Sequence, residues 1–316
     1  MLKEIGRRLT NAITFILLRV TLKQQQPLAI FALLTSAFFW GITWYPYRIM
    51  AESGVSAIVS SFYTYVIILT IGCVVFVKHW RGLFNLPKNI IWLSLAAGWT
   101  NFSYVIAVVD GEVMRVILLF YLAPVWTLIL SHFWLHEKTS KTGYIAIAVS
   151  LMGAYVMLSN PLSGTLSFPV PKNQSDWLAL SAGMGFAVAN VMTRKAQHLS
   201  LPAKSFAVWV GVIMIVLIST PFLKHGLLAP QLFTSKQWMI MLLLAAVLMA
   251  ATVLTQYGVT KVAATRASVL FLLELIVAAI GSYYLANEVM SLSEWVGGAL
   301  ILAAAVFAAL NHHNEH

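Results

Sequence analysis

One carboxylate stands where carboxylates are expensive. Glu274 sits in the run Phe271-Leu272-Leu273-Glu274-Leu275-Ile276, with no other charged residue between Arg266 and Glu288. A charge at the centre of an apolar helix costs about 3 kcal/mol on insertion scales, so such a residue faces a bundle interior, a cavity or a partner. Two chemistries fit that setting. Glu274 is a proton-coupling candidate, or it holds a cationic or amino group of a bound solute. A protonated Glu that bonds a neighbouring helix is the structural alternative.

Aromatic and amide side chains accompany it. Trp40, Trp44 and Tyr47 recur at spacings of four and three, one face of a helix, with Tyr45 one residue off the stripe. Trp99, Tyr104, Tyr121, Trp126 and Trp209 add further rings. Trp80, Trp92, Trp134, Trp177, Trp238 and Trp295 fall near segment ends, where indoles form interfacial belts. Trp40, Trp44, Trp99, Tyr104 and Tyr121 count deeper, where stacking and cation–π contacts could line a pocket for an aromatic or cationic solute. Ordinary helix packing is the competing account of the same rings. Asn101, Asn190 and Gln256 are uncharged polar groups inside apolar segments. Each can bond a solute or tie two helices together.

Other chemistries find too few residues. His132 and His136 lie four apart, as zinc ligands on a helix do, but no third ligand follows at a suitable spacing. No metal and no cofactor is expected. Cys73 is the single cysteine, so no intramolecular disulfide can form. There is no G-x-x-x-x-G-K-[ST] run for ATP hydrolysis, no His-Glu-x-x-His, no paired intramembrane Asp and no Ser-His-Asp set. An enzyme is not expected. Glu137 and Glu288 read as helix-end determinants. Arg115 and Arg266 open the two segments that carry the deepest candidates, and pairing with nearby carboxylates is one role for them.

The elements that must position these residues follow from composition. The 316 residues are 60% hydrophobic and 9% charged, against about 25% charged in a soluble domain. A spanning helix needs about 20 residues, so ten would use nearly two-thirds of the chain. Ten apolar segments can be marked, at roughly 28–47, 56–77, 89–109, 113–135, 143–159, 176–195, 203–222, 237–258, 266–286 and 292–310. They are too long for barrel strands and do not alternate. The predicted class is an all-α polytopic membrane protein. The net charge of +10 then records loop orientation rather than nucleic-acid binding.

Residues 1–26 differ: Leu2, Ile5, Leu9, Ile13, Ile16 and Val20 recur at three or four among Lys3, Arg7, Arg8, Arg19 and Lys23. This reads as an amphipathic helix on an anionic inner leaflet. With the N-terminus cytoplasmic, all Lys and Arg except Arg48, Arg115, Lys172, Lys224 and Lys236 fall on the inner side. Both termini are therefore expected inside a bacterial-type inner membrane.

The chain also repeats itself. Arg115 to Pro124 aligns with Arg266 to Leu275 at an offset of 151, which superposes Glu137 on Glu288. Leu34 to Arg48 aligns with Leu180 to Arg194 at an offset of 146. The expected plan is a basic segment 1–26, a five-helix repeat 27–159, a linker 160–175, a second repeat 176–310 and a tail 311–316. Five is odd, so the second repeat enters the membrane upside down. Inverted repeats of this kind build alternating-access transporters, with the site at the repeat interface.

Three features carry a family resemblance. A small-aromatic run in the first segment ends in Phe39-Trp40-Gly41 and is followed by Arg48. Leu122-Ala123-Pro124 and Leu273-Glu274-Leu275 each hold half of a Leu-Glu-Pro pattern. His136-Glu137 and Asn287-Glu288 come next, the latter before Gly297-Gly298. Over residues 28–310 the chain resembles the drug/metabolite transporter superfamily, specifically its EamA-type ten-helix permeases. The resemblance implies passage of small metabolites through a cavity between the halves, lined by helices 1, 3, 4, 6, 8 and 9. The expected function is secondary export of amino acids or organic cations, with a lipid-carrier flippase as the rival and an intramembrane enzyme well behind. Expected partners are a small-molecule solute and the lipid bilayer, with no nucleic acid; a homodimer is compatible.

Overall fold

A computed structural model describes residues 26–79, 87–88, 90–110, 116, 119–158, 171, 173–222, 230–285 and 292–310. The basic segment 1–25 and most of the linker 160–175 lie outside them, as do Arg115 and Glu288. Among the described residues the secondary structure is helical, with no strand.

The helices are α1 (Gln26–Glu52), α2 (Ala57–Val75), α3 (Ile90–Asp110), α4 (Ala123–Leu135), α5 (Lys141–Leu158), α6 (Gln174–Lys195), α7 (Leu201–Ser219), α8 (Ser235–Lys261), α9 (Ala264–Leu285) and α10 (Leu292–Leu310). Most of them follow the apolar segments, whereas α4 begins at Ala123, well inside the segment 113–135. Six of them, α1, α2, α3, α7, α8 and α9, are long and apolar enough to cross a membrane. Shorter apolar helices lie within α4, α5 and α10. The outer surface is greasy: Val74 is 72% exposed, Tyr284 74% and Leu292 79%, which suits lipid rather than water.

Local sequence sets the helix starts. Ser56 accepts from the Val59 N–H to begin α2, and Asn173 accepts from Asp176 N at 2.8 Å to begin α6. Thr234 and Gln237 form a reciprocal capping box on α8. The Gln237 amide also donates to Ser53 Oγ at 3.1 Å, fastening the start of α8 to the end of α1.

Glycines and small residues set how closely the helices cross. At the α3–α7 crossing, a Cβ built on Gly211 would stand 1.9 Å from the Ser94 carbonyl oxygen. One built on Gly98 would stand 2.3 Å from the Gly211 carbonyl oxygen. Backbones this close exclude any side chain, and Ser94 Oγ uses the proximity to donate to Ala207 O at 2.7 Å. The α3 helix also packs along α6, α5 along α10, and α4 along both α6 and α9.

Candidate functional site

Three helices lose their regularity at one place. In α1 the backbone turns at Thr43, whose N–H and hydroxyl both reach back to Trp40 O. Pro46 follows three residues later and removes one ladder donor. Helical backbone at Leu119-Phe120 breaks at Tyr121-Leu122 before α4 begins. Pro124 explains this break, because its ring crowds the carbonyl four residues back, that of Phe120. In α9 the break falls at Leu272, between Ala264–Phe271 and Leu273–Leu285, with the Leu272 and Leu275 N–H groups bonding three residues back rather than four. No proline accounts for it. Leu272 nonetheless aligns with Tyr121 at the offset of 151.

Glu274 is where the three breaks meet. It occupies the first turn of Leu273–Leu285, so the positive end of that segment's dipole points at its carboxyl group. The Tyr121 hydroxyl, at the α4 break, stands beside the carboxyl. Tyr104 of α3 stands near the same group. From α1, Gly41 lies so close that a Cβ there would be 2.9 Å from the Glu274 carbonyl oxygen and 2.7 Å from Val277 Cβ. Tyr121 is buried, whereas Glu274 and Tyr104 keep part of their surface accessible. A carboxylate with two phenols near can hold an ammonium group and enclose its apolar flanks with rings.

The other candidates spread around this centre. Trp44 packs against Gly281, two turns beyond Glu274 on the same face of α9, and its indole N–H has no hydrogen-bond partner. Trp40 points instead to α8, donating to Thr255 Oγ1 at 3.4 Å; Thr255 also lies 2.6 Å from Ser36 Oγ. Trp99 is 39% exposed and donates to Ser181 Oγ of α6 at 3.2 Å.

The amides divide in the same way. Asn101 accepts from Ser61 Oγ at 2.7 Å and joins α3 to α2. Gln256 accepts from Thr193 Oγ1 at 2.9 Å and joins α8 to α6. Asn190 is 3% exposed, and its amide nitrogen has no partner. The structure thus brings Tyr104, Tyr121 and Glu274 together, sets Trp44 beside them on α9, and engages Trp40, Asn101 and Gln256 in contacts between helices.

Phe186 was absent from the sequence-based set, yet it forms part of the floor beneath Glu274. Its ring lies 5.6 Å from Phe120 and 5.2 Å from Phe271, while Phe120 lies 4.9 Å from Tyr104 and 5.4 Å from Tyr121. Its apolar surroundings in the sequence carry no signal that separates it from ordinary core.

Glu137 was read as a helix-end residue, and it does serve helix ends, though those of other helices. It pairs with Arg194 at the end of α6, with Nε 2.9 Å from Oε1. Its second oxygen accepts from the Ala264 N–H at the start of α9, at 3.2 Å.

Comparison with known proteins places the fold and the family. A protein of known crystal structure superposes with a TM-score of 0.74 at 15% identity, over 90% of this chain and 96% of that one. An uncharacterized transporter of Archaeoglobus fulgidus is 27% identical over 222 residues, 70% of this chain and 76% of the relative. Residues 27–159 and 173–310 match the model of the EamA-like transporter family, most of the chain in two stretches. The chain is a multi-pass membrane protein and belongs to the EamA-like transporter family.

Proposed function

We propose that this transporter is a secondary exporter of small amphiphilic metabolites that carry an amino or other cationic group, with Glu274 as the residue that receives that group. The observation carrying the proposal is a carboxylate set beside two tyrosines at the junction of three broken helices, with Gly41 of α1 packed against its backbone. Discontinuous helices are how transporters place polar groups at mid-membrane without leaving backbone exposed to lipid. Tyr104 supplies a ring, and the Trp44 indole supplies a ring and an unused donor for an acceptor on the solute.

Alternating access between two inverted five-helix repeats, ten spans in all, is the mechanism in this reading. The packing pattern supports it. Exchanging α1–α5 for α6–α10 leaves the pairs α2–α7, α4–α9 and α5–α10 in place. The same exchange turns α3–α7 into α2–α8, and α2–α3 into α7–α8, all of which occur. The α4–α6 contact has its counterpart in Gly41 of α1 against α9. The paired breaks at Tyr121 and Leu272, and the two stretches matched by the family, point the same way. The distribution of Lys and Arg supports cytoplasmic termini in an inner membrane.

The direct test is ligand binding to the purified protein, read by tryptophan fluorescence and thermal shift across a panel of amino acids, primary amines and quaternary ammonium ions. Binding by amino or cationic members that Glu274→Gln weakens at least roughly tenfold, the scale of a lost charge-assisted contact, is the expected result. Equal binding by wild type and variant would remove Glu274 from the solute site.

A further inference from the structure

At the far end of α6 from the Asn173 cap, polar side chains join the ends of five helices. Glu137, just past α4, spends one carboxylate oxygen on Arg194 Nε at 2.9 Å and the other on the Ala264 N–H of α9 at 3.2 Å. Arg194 Nη1 continues to the Thr260 carbonyl near the end of α8, at 2.6 Å. Lys204 of α7, 2% exposed, donates to Thr260 Oγ1, which in turn donates to Gln256 O at 2.5 Å.

The signs are complementary. Cations from α6 and α7 sit on the carbonyl end of α8, and a carboxylate sits on the N–H end of α9. The turn that joins α8 to α9 is held from both sides. Glu137 contributes the one link in this set that comes from the first half of the chain.

The arrangement lies in line with the candidate site. Along α9, Ala264 is followed by Ser268, then by Phe271 in the Phe120–Phe186–Phe271 floor, then by Glu274. A solute leaving Glu274 toward this end meets the aromatic floor first and the Glu137 network second. Arg48, which aligns with Arg194 at the offset of 146, is bound differently. Its side chain is 53% exposed and pairs at 3.2 Å with Glu52 one turn further along its own helix.

Resting on the transporter reading above, we propose that Glu137 and Arg194 form a latch that fastens the α8–α9 turn across the ends of α4 and α6, closing this end of the pathway until it is released. Both side chains are about a quarter exposed, at 25% and 24%. A pair that is partly hydrated holds one arrangement without trapping it. Release frees the Ala264 N–H and the Thr260 carbonyl together, so the latch opens as a unit.

Accessibility tests this without knowledge of the solute. Ser268 is 2% exposed and lies between the latch and the aromatic floor. In a Cys73→Ala background, Ser268→Cys is labelled with a membrane-impermeant maleimide applied to each face of sealed vesicles. Glu137→Gln keeps the size of its side chain while removing the charge, and Arg194→Gln shortens the side chain and removes both guanidinium contacts. Each should speed labelling from the face that bears Glu137 by roughly tenfold, the scale of a lost charge-assisted bond, and leave the opposite face unchanged.

Hydrogen exchange at the Ala264 amide, measured on the full chain in detergent, should accelerate in the same variants. It is a second readout that needs no cysteine. Unchanged labelling and unchanged exchange in both variants would overturn the latch, even where transport persists. A latch that responds as described in a protein that carries no solute would overturn the transport reading instead.

Discussion

At the scale of single residues, the account depends on what Glu274 touches. Tyr121 sets a buried phenol hydroxyl beside it. Tyr121→Phe removes that hydroxyl and keeps the ring. A hydrogen bond to a charged group contributes about 1.5–3 kcal/mol, so a Phe variant should fold normally and bind an amino solute about tenfold more weakly. Titration of the purified variant with the best ligand of the panel checks this; undiminished affinity would show that Tyr121 does not organise the carboxylate for binding. Trp44→Phe is a milder case. It keeps a ring and removes a donor that has no protein partner, so stability should hold while affinity falls for solutes with an acceptor and stays level for those without one.

Residue type and depth named Glu274 as one candidate and Tyr104 and Tyr121 as two among five deep aromatics, because a lone carboxylate in an apolar run must face inward; nothing in the sequence joined the three. The same reasoning could not distinguish Trp99, which lies partly exposed against Ser181, from Trp44 beside the site. Spacing places a ring on a face of its own helix. It does not say which neighbour that face meets. Asn101 and Gln256 illustrate the limit again, since each finds its hydroxyl partner on another helix, Ser61 and Thr193.

At the scale of elements, the helices follow the apolar segments because hydrophobic length is strongly constrained by the bilayer. Their interruptions were only partly visible. Pro46 and Pro124 announce breaks in α1 and before α4, whereas the break at Leu272 has no local signature beyond its alignment with Tyr121. The break lies where α9 packs against Gly41 of α1 and against α4.

Close crossings can be tested directly. Gly211→Ala places a methyl group 1.9 Å from a backbone oxygen that belongs to another helix, and overpacking of this kind costs about 1–3 kcal/mol. Gly298→Ala meets nothing nearer than Ile276 Cγ1 at 3.9 Å and should be tolerated. Thermal unfolding of the two variants in one detergent is expected to show a clear drop for the first and none for the second. Equal midpoints would mean that the α3–α7 crossing is looser than described.

At the scale of the whole molecule, the two halves meet in two kinds of contact. Close packing at Gly41 and around the aromatic floor surrounds Glu274, and a hydrated ionic network joins Glu137 to Arg194 and the start of α9. In the proposed alternating-access reading, the first contact serves binding and the second serves release. The measurement that tests this most directly is uptake by proteoliposomes of labelled amino acids and small organic cations. It would be made with and without an imposed pH gradient, for the wild type and for Glu274→Gln. Saturable uptake of the amino and cationic members that Glu274→Gln abolishes, with or without the gradient, is the predicted result. Uptake that survives intact in Glu274→Gln would contradict it.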